Sequence, residues 1–414
     1  MRPDLLFLSP IMPFAAKSGL SLRAGHLIEA AARHFRVHLY IVPVAGGPTV
    51  PPDRVAASVE RVGILNLAAA LDTHAGLIGR VSDPDERRHQ VAAYSRPWLS
   101  RGCTPAAERQ VLAWLGNTVP VTLLAMRLYL APLAGMLLEK ATRPVGLLDL
   151  DEDDALTFIR IAALHRQEGD NAAADAAEAE ARKFAALARG VLPQFDGVTV
   201  CSEQDAARLA AEHPAARLSV LPNICDVPPA LPRRRPVGAK LRLIFVGNLS
   251  YPPNADAVRQ MVVNILPALR GEGIDAELDI IGPGDPGVSS DDPDVRLHGA
   301  VSDLSPYYAQ ADIALVPLRA GGGTRLKILE AFAHGVPVVA SDIGAEGLEI
   351  TNGVQYVRAN LTAEFAAACR RLHDRPELAN HLAENAWRFV VDRHSRDTLG
   401  RRVADLLDRA RRLP

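Results

Sequence analysis

PLRAGGGTRLKILEAFAHGVPVVASDIGAEGL, running from Pro317 to Leu348, is the stretch that decides the fold. Ile313 to Pro317 form an apolar, strand-like run, and Gly321, Gly322 and Gly323 then let the backbone pass close to a ligand. Thr324 is placed to cap a helix that turns Leu326, Leu329 and Phe332 toward a core. A second apolar run, VPVVAS, follows directly. Strand, glycine loop, helix and strand in this order form the repeating unit of a parallel sheet covered by helices.

The charges at the start of this helix are the wrong sign for an isolated helix. Arg325 and Lys327 fall in its expected first turn, where the dipole already supplies about half a positive charge and favours Asp or Glu. Two cations, the Thr324 hydroxyl and free backbone N–H groups together make a receptor for a pyrophosphate. Thr324, Lys327 and Glu330 are spaced by three and share a face, which sets a carboxylate just beyond the phosphates, within reach of ribose hydroxyls. The same spacing also suits a surface pair of Lys327 and Glu330 worth about 0.2–0.5 kcal/mol, with Arg325 solvated.

Working outward, LRLIFVG, NADAVRQMVVNILPALR, AELDIIG, VRLHG and SPYYAQ repeat the strand and helix alternation, so residues 240–395 read as one Rossmann-like domain. Five prolines between Pro222 and Pro236, with Arg233, Arg234 and Arg235, mark residues 223–239 as a linker. LLFLS, LSLRAGHLIEAAARHF and VHLYIVP begin a first Rossmann-like domain over residues 1–222, and residues 396–414 read as a C-terminal helix packing back on it. The strands are continuous apolar runs, as in sheets buried on both faces. Such α/β folds bind ligands at the carboxyl ends of their strands, so a cleft between two facing domains is the expected site.

At 414 residues the chain has room for two or three domains, each with its own core. Its 46 basic and 48 acidic side chains leave a net charge of −2, which gives no overall attraction to nucleic acid or an anionic membrane. Lysines are confined to Lys17, Lys140, Lys183, Lys240 and Lys327, so one inside a motif stands out. Cys103, Cys201, Cys225 and Cys369 lie far apart without zinc-ligand spacing and read as buried, reduced thiols of a cytoplasmic protein. MRPDLLFLSP is too short in apolar residues for a secretory signal. The apolar stretch Thr118 to Leu138 carries Arg127, which costs about 2.5 kcal/mol or more in a bilayer, so it reads as a buried strand and helix. The arginine pairs and the 233–235 triplet fall short of the roughly four to eight charges that bind lipid, leaving peripheral membrane contact open.

GGGTRLKILEAFAHGVPVVASDIGAEGL, with FVGNLSYPPNADAV at Phe245 and VRLHGAVSDL at Val295, resembles the retaining glycosyltransferases of family 4, the group 1 glycosyltransferases of GT-B fold. The resemblance implies an α/β chain of two Rossmann-like domains facing each other across a cleft, with a nucleotide-diphosphate sugar bound in the second. It puts Glu330 on the ribose and Arg325 and Lys327 on the diphosphate, as metal-independent stabilisers of the leaving group. Gly247, Asn248, Val301, Gly323 and Thr324 would complete the donor site. No cofactor beyond the donor is implied, and the acceptor would be a glycan or lipid-linked glycan of cell-envelope or exopolysaccharide synthesis. Two positions depart from the family pattern: Gly322 stands where the E-x7-E motif has its first glutamate, and Asn248 stands where an arginine often follows the first-strand glycine. A branch of the family that writes GTRLKxLE matches better. The first domain resembles the family less closely, through KSGLSLRAGHLIEAAARHF and LPNICD; Gly19 would approach the donor phosphates and Arg23 the cleft, although Gly19 reads equally well as a turn glycine.

LLDLDEDD, with Asp149, Asp151, Asp153 and Asp154, contains the short D-x-D pattern that resembles the metal motif of the other main glycosyltransferase fold. Acids also suit the start of the helix that follows, which is the favoured reading, with Asp149 kept as a cleft candidate. GPGDPG at Gly282 lacks the G-x-G-x-x-G spacing and reads as a loop. Two other functions remain compatible with these residues: a nucleotide-sugar epimerase, or an inactive nucleotide-sugar-binding partner of another transferase, for which Gly322 is the motive.

Overall fold

The computed structural model describes residues 2–15, 18–44, 46–140, 144–233, 238, 240–288, 291–323 and 325–411. The chain divides into two units, Met1–Pro222 with Leu399–Pro414, and Asn223–Thr398.

In the first unit, β1 (Asp4–Ser9), β2 (Arg36–Ile41), β3 (Arg61–Ile64), β4 (Thr122–Met126), β5 (Val145–Asp151), β6 (Gly197–Val200) and β7 (Leu218–Val220) form a seven-stranded sheet in the order β3-β2-β1-β4-β5-β6-β7. Every pairing is parallel. Residues of β1 from Leu5 to Ser9 and all of β4 are buried, which explains why the strands read as unbroken apolar runs. The order turns back between β1 and β4, so the loops after these strands diverge to opposite sides and leave a crevice at their carboxyl ends. The Thr118–Leu138 stretch forms β4 and the Ala131–Leu138 helix, as its central arginine requires. Among the described residues no helix is long and apolar enough to cross a membrane.

The second unit repeats the plan with β8 (Leu241–Val246), β9 (Ala276–Ile281), β10 (Val295–Leu297), β11 (Ile313–Val316), β12 (Val338–Ala340) and β13 (Val357–Arg358). Their order is β10-β9-β8-β11-β12-β13, again all parallel, with the turning point between β8 and β11. Pro267 lies in the helical stretch after β8, where its ring would meet a carbonyl one turn back. A π turn at Met261–Ile265, between the Pro252–Gln260 and Leu266–Gly271 helices, opens the hydrogen-bond ladder there.

Residues 223–233 belong to the second unit. Cys225 N donates to His394 O at 3.1 Å, the His394 ring bonds Asn223 O at 2.7 Å, and the Cys225 thiol lies 3.5 Å from Leu329 O. The proline-rich segment is therefore pinned along its first residues, while residues 234–237 and 239 lie outside the described ones. The C-terminal helix Arg396–Arg411 crosses the division, and from Leu399 onward it clusters with the first unit, where Arg402 donates to Val220 O at 3.3 Å. All four cysteines are buried and none is in a disulfide.

Candidate functional site

The second unit gathers the predicted residues at the carboxyl ends of β8 and β11, on either side of the turning point of its sheet. Gly247 and Asn248 follow β8, Gly321 to Gly323 follow β11, and Arg325, Lys327 and Glu330 lie at the start and middle of the Leu326–Ala333 helix. Thr324, expected to cap this helix, lies outside the described residues. The helix begins at Leu326 with Arg325 at the capping position, so Arg325 precedes the first turn instead of lying in it. Ile328, Leu329 and Phe332 are fully buried, and Leu326 is partly so, which locks the polar face outward from the core.

Arg325 is buried, with Nε donating to Ile343 O at 3.2 Å and Nη1 donating to Gly322 O. Its guanidinium thus bridges the glycine loop after β11 and the segment after β12. Lys327 is partly buried; its Nζ donates to Asn254 Oδ1 at 2.6 Å and sits 4.2 Å from the centre of the Phe245 ring. Burial and the nearby Arg325 cation push the ammonium down to about 7, against the opposing pull of Glu330. The partners that hold this lysine are an uncharged amide and an aromatic face, both weak substitutes for an anion.

Gly247 makes room for that arrangement. A Cβ there would stand 2.9 Å from Asn254 Nδ2 and 3.1 Å from Lys327 Nζ. Gly282, from the GPGDPG segment, explains itself in the same way. Its φ is +147° and a Cβ would fall 1.7 Å from Gly247 O, so this glycine lets the loops after β8 and β9 close on one another. Gly247 N donates to Ile281 O at 2.9 Å and Leu249 N to Pro283 O at 2.7 Å, which zips the two loops together. Gly282→Ala is expected to lower the stability of the second unit by about 1–3 kcal/mol, read as a lower melting temperature. Val301 lies in the loop after β10, partly buried against the same core, and Asn248 is exposed with its side chain accepting from Ser250 N at 3.0 Å.

Gly19, Arg23 and Asp149 belong to the first unit. Gly19 is the exposed first residue of the Gly19–Ala32 helix, behind the Ser18 cap. Arg23 and Asp149 are 3% and 0% exposed, and they hold each other: Nε to Oδ2 at 2.8 Å and Nη2 to Oδ1 at 2.5 Å. Thr199 Oγ1 adds a bond to Asp149 at 2.6 Å, and Arg23 also donates to Leu221 O at 3.0 Å. This buried ion pair ties the first helix, β5, β6 and the segment after β7 into one scaffold.

The remaining acids of LLDLDEDD are likewise engaged inside the first unit. Arg127, 6% exposed, reaches Asp151 at 3.3 Å, Glu152 at 2.7 Å and Asp154. Asp153 caps the Asp154–Gln167 helix by accepting from Leu156 N at 3.1 Å, in keeping with the helix-start reading. Burial raises the Asp154 carboxyl above its ordinary range despite Arg127. Arg127 and Asp151 both have left-handed backbone, with φ of +75° and +63°, and the register of β5 shifts between Asp149 and Asp151. Among the described residues no group of three or more His, Cys, Asp or Glu side chains is arranged to hold a metal ion.

Sequence reasoning missed Asn254 and Phe245, the two residues that place Lys327. Both stand in the quoted segment FVGNLSYPPNADAV, but their spacing of nine residues carries no helical or strand periodicity; only the sheet brings β8 beside the later helix.

Comparisons with known proteins bear on the second unit and on the fold. Residues 240–375 match the family model described as Glycosyl transferases group 1. The chain is 34% identical over 107 residues to the lipopolysaccharide core biosynthesis mannosyltransferase LpsB of Rhizobium meliloti, covering 24% of this chain and 30% of that protein. It is 28% identical over 163 residues to a 44.6 kDa protein of the cps region of Klebsiella pneumoniae, covering 37% and 42%. The chain thus spans less than half the length of either relative. Among solved structures, sucrose-phosphate synthase from Thermosynechococcus elongatus superposes with a TM-score of 0.70 at 16% identity, over 98% of both chains. Anabaena HepE in complex with UDP-glucose superposes with a TM-score of 0.65 at 13% identity, over 98% of this chain and 100% of that one. The chain therefore has the GT-B architecture of two parallel-sheet, Rossmann-like halves, and its residues 240–375 match the group 1 glycosyltransferases.

Proposed function

We propose that this protein is a retaining glycosyltransferase that moves a sugar from a nucleotide-diphosphate donor to an acceptor hydroxyl. The observation that carries the reading is Lys327: a partly buried ammonium at a strand-end crevice, beside a second buried cation, held by an uncharged amide. A site built this way gains most when a diphosphate arrives, because the incoming charge supplies what Asn254 and Phe245 cannot. Arg325 and Lys327 bind the diphosphate, with Gly247, Asn248, Val301 and Gly323 around it, and Glu330 accepts the ribose hydroxyls. The matched mannosyltransferase and the UDP-glucose complex of HepE support a nucleotide sugar as the donor class.

In the transfer step the bond from the anomeric carbon to the phosphate oxygen breaks and its electron pair stays on the diphosphate. The acceptor oxygen bonds the anomeric carbon on the same face, and its proton passes to the departing phosphate. Arg325 and Lys327 stabilise the developing negative charge, the task a divalent ion performs in metal-dependent transferases. The acceptor class is a glycan or lipid-linked glycan of envelope or exopolysaccharide synthesis, with the enzyme working in the cytoplasm or at the inner membrane face.

A thermal-shift screen of UDP-, GDP-, ADP- and TDP-sugars tests the donor reading, since a ligand selective for the native state raises the melting temperature by mass action. One base class is expected to shift the parent protein, and Arg325→Ala is expected to weaken that donor roughly tenfold to a hundredfold. An Arg325→Ala protein that responds like the parent sinks the phosphate assignment. Turnover of the same donor with a glycan acceptor, and its absence with donor alone, separates a transferase from an epimerase or an inactive binding partner.

A further inference from the structure

The Lys327 ammonium rests on the Phe245 ring and hydrogen-bonds one side chain, Asn254. Asn254 is 7% exposed and makes two bonds of opposite sense: Oδ1 accepts from Lys327 Nζ at 2.6 Å, and Nδ2 donates to Asn248 O at 2.8 Å. An ammonium can only donate and a backbone carbonyl can only accept, so the orientation of the amide is settled by its two partners. No other side chain of this size and shape offers both: an aspartate would turn a carboxylate on the Asn248 carbonyl, and a leucine would serve neither group.

We propose that Asn254 is the positioning residue of the donor site, holding the Lys327 ammonium over the crevice with a neutral acceptor so that its charge stays available to the donor's phosphates. The assignment rests on the nucleotide-sugar reading given above. An acidic residue in the same place would neutralise the lysine in advance and then repel the diphosphate. The amide instead couples two loops: the same side chain that aims Lys327 also fixes Asn248 in the turn after β8. The glycine at 247 belongs to the device, since any larger residue would press on both the amide and the ammonium.

The charged groups around the ammonium are few. Arg325 stands before it and lowers its proton affinity, and Glu330 lies one turn beyond and raises it. On the Pro252–Gln260 helix, Asp256 is engaged by Arg319 at 2.9 Å, and the Tyr251 hydroxyl lies by the glycine loop. A change at residue 254 therefore reads out directly in the titration of one amine.

The test uses the full-length protein and its Asn254→Asp and Asn254→Ala variants. The Lys327 amine is titrated by competitive acetylation with peptide mass spectrometry in ligand-free protein, and the affinity for the donor found in the thermal screen is measured by calorimetry across the same pH range. In the parent the amine is expected to titrate near 7, and donor affinity to fall above that pH because binding must then take up a proton. Asn254→Asp is expected to move both the titration and the limb of the affinity profile upward by about one unit or more, with donor affinity at neutral pH at least about tenfold lower. Asn254→Ala is expected to move both downward. A residue with a merely structural role would alter melting temperature without moving both profiles up in Asn254→Asp and down in Asn254→Ala. Variants that titrate like the parent overturn the assignment. Shifted titrations in a protein that binds none of the nucleotide sugars uphold the coupling of Asn254 to Lys327 and defeat the donor reading instead.

Discussion

Lys327→Met is expected to make the ligand-free protein more stable while removing its response to nucleotide sugars. A lysine whose folded value is about 7 and whose unfolded value is about 10.4 opposes folding, because the unfolded chain holds the proton more tightly. Replacing a partly buried cation by an apolar side chain of similar length relieves this cost, by about 1–3 kcal/mol, or a rise in melting temperature on the order of 5 °C for the second unit. The sign over pH is definite. Below pH 7 the lysine is charged in both states and the cost is complete; as pH rises from 7 toward 10 the folded lysine has lost its proton while the unfolded one keeps it, and stability recovers. The gain from Lys327→Met should therefore be largest at pH 7 and below, and should vanish by about pH 10 to 11. Donor affinity should fall about a hundredfold in the same variant, since the charge-assisted contact proposed for the phosphates is lost. Calorimetric melting across pH, with and without the donor, reads both effects. A variant that melts below the parent at neutral pH would show that the lysine stabilises the fold and is not held ready for a ligand.

Asp149→Ala is expected to be among the most damaging single substitutions in the first unit. It strands Arg23, 3% exposed and bound through two nitrogens, and also removes the acceptor of Thr199. Breaking a buried pair by deleting one partner costs about 3–5 kcal/mol, on the order of 10 °C in a unit of this size. The double variant Arg23→Met/Asp149→Leu should recover most of the loss, because neither charge is then left buried alone. Denaturant or thermal melting of the two single variants and the double variant forms a complete cycle. If Asp149→Ala melts within a degree or two of the parent while transfer is lost, the pair belongs to the reacting site and not to the scaffold.

The two predictions differ because the two units use buried charge differently. Arg23 and Asp149 neutralise each other through a bidentate bond, so burial is offset inside the protein. Lys327 is offset by an amide, a ring and the pull of Glu330 one turn away, with no direct ion pair among the described residues, so part of its cost remains until something negative arrives. D-x-D signalled acids and could not distinguish these cases: in a strand and helix start, the same letters serve a buried arginine, a helix cap and a metal equally well. The structure gives Asp149 to Arg23, Asp153 to the helix that begins at Asp154, and Asp154 to Arg127. GPGDPG was legible as a loop, yet its purpose was not, since the carbonyl that demands Gly282 belongs to Gly247, thirty-five residues earlier in the chain.

Periodicity and local charge carried the parallel-sheet plan, the strand and helix around Arg127, and the clustering of cations beside a glycine loop from Gly321 to Glu330. These are properties of neighbours along the chain: apolar runs choose sheets, glycines and prolines punctuate them, and a cation at a helix start is anomalous wherever it occurs. Tertiary structure alone decided which neutral groups hold Lys327, that Arg325 precedes the helix and braces two loops, and that Arg23 and Asp149 face each other. Each of those outcomes depends on which strand lies beside which, and hydrogen bonds and desolvation act over a few ångströms of space, with no regard for distance along the sequence.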